Sequence, residues 1–457
     1  MIDRRTFLLS VGAYSISPGV PAAKAEPELI VAKKSKIQLA PDGYPQTEVW
    51  AYNGRVPGEI LRIRQGGRIV RRLENQLDDP TTIHWHGIRI DNAMDGVSDL
   101  TQAPVGSGEG FLYDFVVPDA GTFWFHPHRN TLEQVSRGLS APLIVDEPDQ
   151  PDIDDDIVLM INDWRLDPDA QVIDDFANMM DRSHAGRIGN YLTVNGLAEY
   201  VRASKRNERL RLRVINASSD RVIRLGGKEL NAHIVALDGM PLRAPLHLDG
   251  MDLAPAQRVD LFADIVAEPG ETAFLTSEER GGTYSLATFP VSADGAAVPR
   301  DYLKPLPPND LPEPQLADAI ATELVMEGGA MGGMMSGVMH RNRMMGMRDL
   351  MSKGLVWAFN GVAGMPDAPL LRADRHQTVR ITLDNRTAFS HAMHLHGHHF
   401  SEMMPEGLGP ARDTILVGAR SSKEIAFVAD NPGKWMFHCH MLAHQAAGMA
   451  TWIEVGS

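Results

Sequence analysis

Residues 435–449 read WMFHCHMLAHQAAGM, and the rest of the chain is organised around them. The stretch holds Cys439, the single cysteine in 457 residues, with His438 and His440 on either side. His444 follows five residues after the cysteine and Met449 ten after it. A thiolate, an imidazole and a distant thioether are most of the ligand set of a mononuclear electron-transfer copper site, which needs one more histidine. Read as a strand, MFHCHM sends alternate side chains to opposite faces. His438 and His440 then share one face and Cys439 takes the other, so one short strand touches two metal sites.

Working outward, this late strand has counterparts. GKWMFHCH (433–440) matches GTFWFHPH (121–128) and GTYSLATF (282–289). Upstream of each stands an alternating apolar and polar string: LRIRQGGRIVRRLENQL, RLRLRVINAS and TVRITLDNRT. That period belongs to half-buried strands rather than amphipathic helices. Each string follows an Asn-Gly pair (Asn53-Gly54, Asn195-Gly196, Asn360-Gly361) and ends near an asparagine (Asn75, Asn216, Asn385). The separations are 22, 21 and 25 residues. A repeat of this length is a domain rather than a solenoid unit. The expected fold is all-β, three β-sandwich domains, breaking near 147–156 and in the Pro-rich stretch 290–314.

Histidine follows the repeat selectively. Nine residues after Asn75 comes His84, in HWHG; nine after Asn385 comes His394, in HLHG. The late strand adds His126 and His128 in the first copy and His438 and His440 in the third. The middle copy has none of these and is expected to act as a spacer. In a strand, each His-x-His pair presents both imidazoles on one face. Eight imidazoles converging without a metal would be costly to bury. The outer copies are therefore expected to pack face to face around metal ions.

The ends and the composition bound the setting. Arg4 and Arg5 precede Phe7-Leu8-Leu9, and Ala23-Lys24-Ala25 offers small residues to a signal peptidase. This is the pattern of a twin-arginine export signal, residues 1–25, and implies a periplasmic protein. No later run approaches the ~18 apolar residues of a membrane span. A lone cysteine in an oxidising compartment needs a reason to stay a thiolate, and metal ligation supplies one. A net charge of −15 argues against nucleic acid as a partner. A monomer is expected.

HWHG (84–87), HPH (126–128), HAMHLHG (391–397) and HCHMLAHQAAGM (438–449) together resemble the four copper motifs of the multicopper oxidases. That family includes laccases, bacterial cuprous oxidases and ascorbate oxidase. The resemblance covers the chain after residue 25 and implies three cupredoxin-like Greek-key domains, taken as 26–150, 151–312 and 313–457. It implies four copper ions: a type 1 ion on His391, Cys439, His444 and axial Met449, and a type 2 ion on His84 and His394. The type 3 pair would rest on His86, His126, His128, His396, His438 and His440. Electrons would pass from a reductant through Cys439 to the cluster, where O2 becomes water. Asp95, nine residues after His86, stands where the family usually has a proton-donating acid; a turn-forming role before Gly96 is the alternative. Gln445 occupies the place of a second family acid and cannot donate a carboxyl proton.

Residues 326–351 carry nine of the chain's 23 methionines: Met326, Met331, Met334, Met335, Met339, Met344, Met345, Met347 and Met351. Thioethers select Cu(I), and the segment resembles the Met-rich insert of the cuprous oxidases. The leading expectation is a Cu(I)-collecting lid and a metallo-oxidase role in copper tolerance, with Mn(II) or Fe(II) as other reductants. Adaptable packing without a ligand is the alternative for the segment. A phenol-oxidising laccase is the alternative for the function, ahead of a copper-free scaffold. The Asp and Met that cuprous oxidases often place before the first type 1 histidine are replaced here by Thr387-Ala388-Phe389-Ser390. His340 is a candidate Cu(I) ligand. His398 and His399 are expected near the site or at the surface, and His184, His233, His247 and His376 are expected to lack partners.

Overall fold

The computed structural model describes residues 27–279, 281–332 and 337–457. The export-signal reading of residues 1–25, and Met334 and Met335, lie outside the described residues. Three sandwich-like units follow one another. In the first, the sheet built on Glu28–Ile37 and Arg68–Asn75 faces the sheet holding His84–His86, Gly121–His126 and Ala141–Asp146. The middle unit pairs Asp155–Trp164 with Arg209–Asn216, and the third pairs Ile320–Gly328 with Thr378–Asn385. Each of these pairs is parallel, as is Glu28–Ile37 with Arg68–Asn75. Most of the other ladders are antiparallel.

The repeated asparagines explain why three different strings build the same frame. Asn53, Asn195 and Asn360 adopt φ of 52°, 54° and 48°, each followed by a glycine at positive φ. That conformation is open to Asn and Gly at low cost and makes a tight hairpin. Each Asn side chain also accepts from a strand N–H, of Val31, Met160 and Val325 respectively. Asn75, Asn216 and Asn385 are buried, and each accepts from the N–H two residues on while donating to carbonyls across the loop. These bonds satisfy backbone groups that a strand end would otherwise leave bare.

One apolar cluster runs through the first and third units, joining Ile83, Trp85 and Phe125 to Met393, Phe437 and Cys439. The middle unit has its own core around Leu212, Val214 and Leu261. The outer units are thus seated against each other, and their histidine-bearing strands meet. The Met-rich segment folds as a hairpin, Val338–His340 with Arg343–Met345, followed by the helix Met347–Ser352.

Candidate metal centres

Two ladders set the larger site. His84 lies opposite His126 on neighbouring strands, and in the third unit His394 lies opposite His438 in the same way. His128 and His440 each sit just beyond a strand end, after Pro127 and Cys439. Across the seam, the ring of His84 stacks on His396 at 3.8 Å and that of His86 on His394 at 3.8 Å. All eight histidines are buried.

The hydrogen bonds show which nitrogens are bare. His84 Nδ1–H donates to the Asp95 carbonyl, His126 Nδ1–H to that of Pro127, His394 Nδ1–H to that of Asp413 and His438 Nδ1–H to that of Cys439. A carbonyl only accepts, so the neutral rings carry their proton on Nδ1 and leave Nε2 bare. His396 Nδ1 meets the Asp95 carboxylate at 3.0 Å. His86 is reversed: Nε2–H donates to Asp413 and Nδ1 has no partner. His396 Nε2 lies 3.1 Å from His438 Nε2, His128 Nε2 lies 3.4 Å from the same atom, and His126 Nε2 lies 3.2 Å from His440 Nε2. Nε2 of His84 and of His394 has no partner at all. His396 and His438 both have Nδ1 engaged, so their Nε2 lone pairs face each other at 3.1 Å and repel unless a cation lies among them; with the unpartnered Nε2 atoms of His84 and His394, this donor set fits metal ions.

Electrostatics agree. Burial, and the neighbouring imidazoles, hold His126, His128, His396, His438 and His440 well below the ordinary histidine range. Neutral imidazole is the form that binds metal.

On the opposite face of Gly433–Cys439 lies a second centre. Cys439 Sγ is 3.7 Å from His391 Nδ1 and 3.8 Å from His444 Nδ1, and these two nitrogens are 3.0 Å apart. The outer nitrogens are fixed: His391 Nε2 meets Thr387 Oγ1 at 2.9 Å, and His444 Nε2–H donates to the His184 carbonyl at 2.6 Å. Met449 is fully buried, its carbonyl accepting from Cys439 N–H. Burial pushes the Cys439 thiol up and His444 down to about 4. A buried thiol becomes a ligand when a cation stabilises its thiolate.

Asp95 is buried, with its carboxylate against His396 Nδ1 and 3.2 Å from His84 Nδ1. Its turn role holds as well, because Gly96 has φ 81° and a Cβ there would strike the Ile83 carbonyl. Three residues escaped the sequence reading. Asp413 Oδ1 contacts His86 Nε2 at 3.1 Å and His394 Nδ1 at 3.3 Å. Arg258, from the middle unit, donates to Asp413 at 3.0 and 2.6 Å and to carbonyls of Thr122, Ala256 and Asp238. Burial opposes the Asp413 charge, but Arg258 and the two histidines hold its pKa well below the usual carboxylate range. Asp238, buried beside the Asp413 charge, is pushed up to about 6. No motif marks these positions. The middle unit is therefore more than a spacer. The expectation for His184 also needs correction: its main-chain carbonyl is a partner of His444, a contact to which residue type gives no clue. His398 and the His399 side chain are buried, His398 against Phe427 and Trp435. His233 and His247 are not partnerless either, since their rings lie 5.2 Å apart.

Comparison with known proteins gives a consistent result. Profiles described as multicopper oxidase match residues 33–150, 155–283 and 333–457. The chain is 29% identical to Multicopper oxidase MmcO of Mycobacterium tuberculosis, over 97% of this chain and 91% of that protein. Among solved structures it is similar to Lac15 from a marine microbial metagenome, with 39% identity, a TM-score of 0.77, and 94% and 100% of the two chains covered. A multi-copper oxidase from Pseudomonas thermotolerans gives 32% identity and a TM-score of 0.81, covering 94% and 98%.

Proposed function

We propose the following activity for this chain, which belongs to the multicopper oxidase family: it oxidises Cu(I) one electron at a time, reduces O2 to water, and serves copper tolerance in the periplasm after twin-arginine export. The chain is an oxidoreductase with copper as its cofactor. His391, Cys439 and His444, with the buried Met449 as a weak further donor, would hold type 1 copper. His84 and His394, whose Nε2 atoms stand alone, would hold type 2. His86, His126 and His440 on one side and His128, His396 and His438 on the other would hold the type 3 pair. When bound, these ions supply one-electron oxidation of the reductant and four-electron, four-proton reduction of O2 to two waters.

The chain's own residues do the rest. Cys439 joins the two centres covalently, since its peptide neighbours His438 and His440 belong to the other site. Asp95 fixes His396 and His84 through Nδ1 and is the carboxyl placed to hold a proton at its Oδ atoms for reduced oxygen. Asp413, tied down by Arg258, orients His86 and His394. Burial of both centres excludes bulk water.

The converging bare nitrogens beside a Cys/His pair carry the oxidase reading. Cu(I) as reductant is supported by the Met-rich segment. A Cβ at Gly329 would strike the Trp357 ring, so the start of the segment lies against that ring, and Trp357 lies 5.0 and 4.7 Å from the rings of His391 and His444. Met331 and Met344 are exposed there. The test is oxygen uptake with Cu(I), Mn(II), Fe(II) and a phenol, each with and without added Cu(II). Fastest uptake with Cu(I) is expected. A copper-loaded preparation that is colourless and consumes no oxygen would overturn the reading.

A further inference from the structure

We propose that the middle unit closes the outer edge of His444, so that electrons enter through the His184 peptide and not by direct contact of the reductant with the imidazole. This rests on the reading above that Cys439, His391 and His444 form the electron port.

Three consecutive carbonyls of the middle unit are bonded to the third unit. Arg182 O accepts from Trp357 Nε1–H at 2.5 Å, Ser183 O from Ala330 N–H at 2.7 Å, and His184 O from His444 Nε2–H at 2.6 Å. The helix Leu442–Ala446, which carries His444, is held by the same unit: Leu442 N–H donates to Ser219 O and Ala443 N–H to Asp220 Oδ1. The other Asp220 oxygen accepts from Arg187 N–H at 3.0 Å, so one carboxylate ties residues 182–187 to the histidine's helix. The His184 ring closes on Phe389 at 5.6 Å, and His444 is fully buried.

An imidazole N–H already bonded to a carbonyl cannot also be offered to a phenol hydroxyl. The covered edge selects reductants that give up an electron across the surface. One electron leaves the reductant and arrives at the port; no atom is transferred, and any proton the reductant loses goes to solvent. Exposed Met180 precedes His184 by four residues, and exposed Met331 follows the bonded Ala330. Both are soft donors suited to a monovalent copper ion. The segment 182–187 is therefore specificity-determining, with Asp220 as its positioning residue.

The test pairs access with turnover. In the copper-free protein, diethyl pyrocarbonate labelling read by mass spectrometry should spare His444 while marking exposed His376 and His247. In Asp220→Asn, the single side-chain oxygen can accept only one of the two N–H groups. The variant should label His444 and raise kcat/KM for a phenol by about tenfold, the scale of one lost hydrogen bond. Trp357→Phe frees the Arg182 carbonyl and also thins the ring packing on His391 and His444; it should move both readouts the same way and serves if Asp220→Asn does not fold. Labelling of His444 in the wild type as fast as His376 would overturn the proposal. So would a labelled variant with unchanged phenol turnover. Loss of all oxidase activity in the loaded wild type, with His444 still protected, would instead count against the electron-port reading.

Discussion

Replacing Arg258 by Met removes the guanidinium and keeps an apolar side chain of similar reach. Arg258 is fully buried and spans all three units: Thr122 in the first, Ala256 and Asp238 in the middle, Asp413 in the third. Its loss leaves the Asp413 carboxylate with Thr414 Oγ1–H and the histidine contacts only. Breaking a buried pair in this way costs about 3–5 kcal/mol, against roughly 5–15 kcal/mol for a whole fold. A bound proton is the escape route, and taking a carboxyl of ordinary pKa to its neutral form costs about 4 kcal/mol at pH 7. That cost falls by about 1.4 kcal/mol per pH unit on acidification. The sign follows: in the wild type Asp413 is held low and stabilises the fold above the ordinary carboxylate pKa. In the variant its pKa is raised, and the deficit is present at pH 7 and shrinks towards pH 5. Denaturant unfolding of wild type and variant at pH 7 and pH 5.5, both loaded with copper, reads this directly. Arg258→Lys should recover only part, because an ammonium cannot fork onto two carboxylate oxygens. A deficit under about 1 kcal/mol at pH 7, or one that grows on acidification, would refute the account of Arg258 as a three-way tie.

Cys439→Ser should abolish the blue absorption and reductant-driven turnover together, while copper remains on the histidine cluster; metal analysis with visible spectroscopy checks this, and retained turnover would mean that the through-bond route is wrong. Asp95→Asn should leave copper content near the wild-type level and slow O2 reduction by about 10²-fold, as loss of a positioned proton donor does, measured by single-turnover reoxidation. Copper-free protein should lose stability as pH falls from 6.5 towards about 4, where His444 itself titrates. The unfolded chain takes up protons below 6.5, whereas His126, His128, His391, His438 and His440, held low by burial, do not, so each costs up to about 1.4 kcal/mol per pH unit. The urea midpoint should fall steeply over that window, and at least as steeply from its higher starting value with copper bound, because metal-bound imidazoles take up no proton either; a midpoint unchanged at pH 5 would contradict the pKa directions.

The sequence carried the three-copy frame and the donor set because both depend on residue type at fixed spacing. Asn53, Asn195 and Asn360 mark the hairpins since few other residues adopt that backbone cheaply. The His-x-His pairs mark the seam since strand alternation puts both rings on one face. What stayed hidden depends on contacts between units far apart in sequence. Arg258 reaches Asp413 across 155 residues, and His444 reaches His184 across 260. The second of these contacts is to a backbone carbonyl, which any residue at position 184 would supply.

These hidden contacts converge on one physical consequence for the middle unit. It has no histidine at the repeat positions, yet it reaches both centres: a guanidinium holds Asp413 on the cluster side, and a peptide carbonyl holds His444 on the cysteine side. Groups of that kind fix the orientation of His86, His394 and His444 without competing for a metal, because a guanidinium carries only donors and a carbonyl bonded to N–H is already engaged. Histidines in their place would bring further bare nitrogens to the seam and could draw metal ions away from the intended positions. The absence of ligands in the middle copy and the presence of Arg258 and residues 182–187 are thus two sides of one arrangement: the outer units supply donors, and the unit between them supplies the fixed partners that aim those donors.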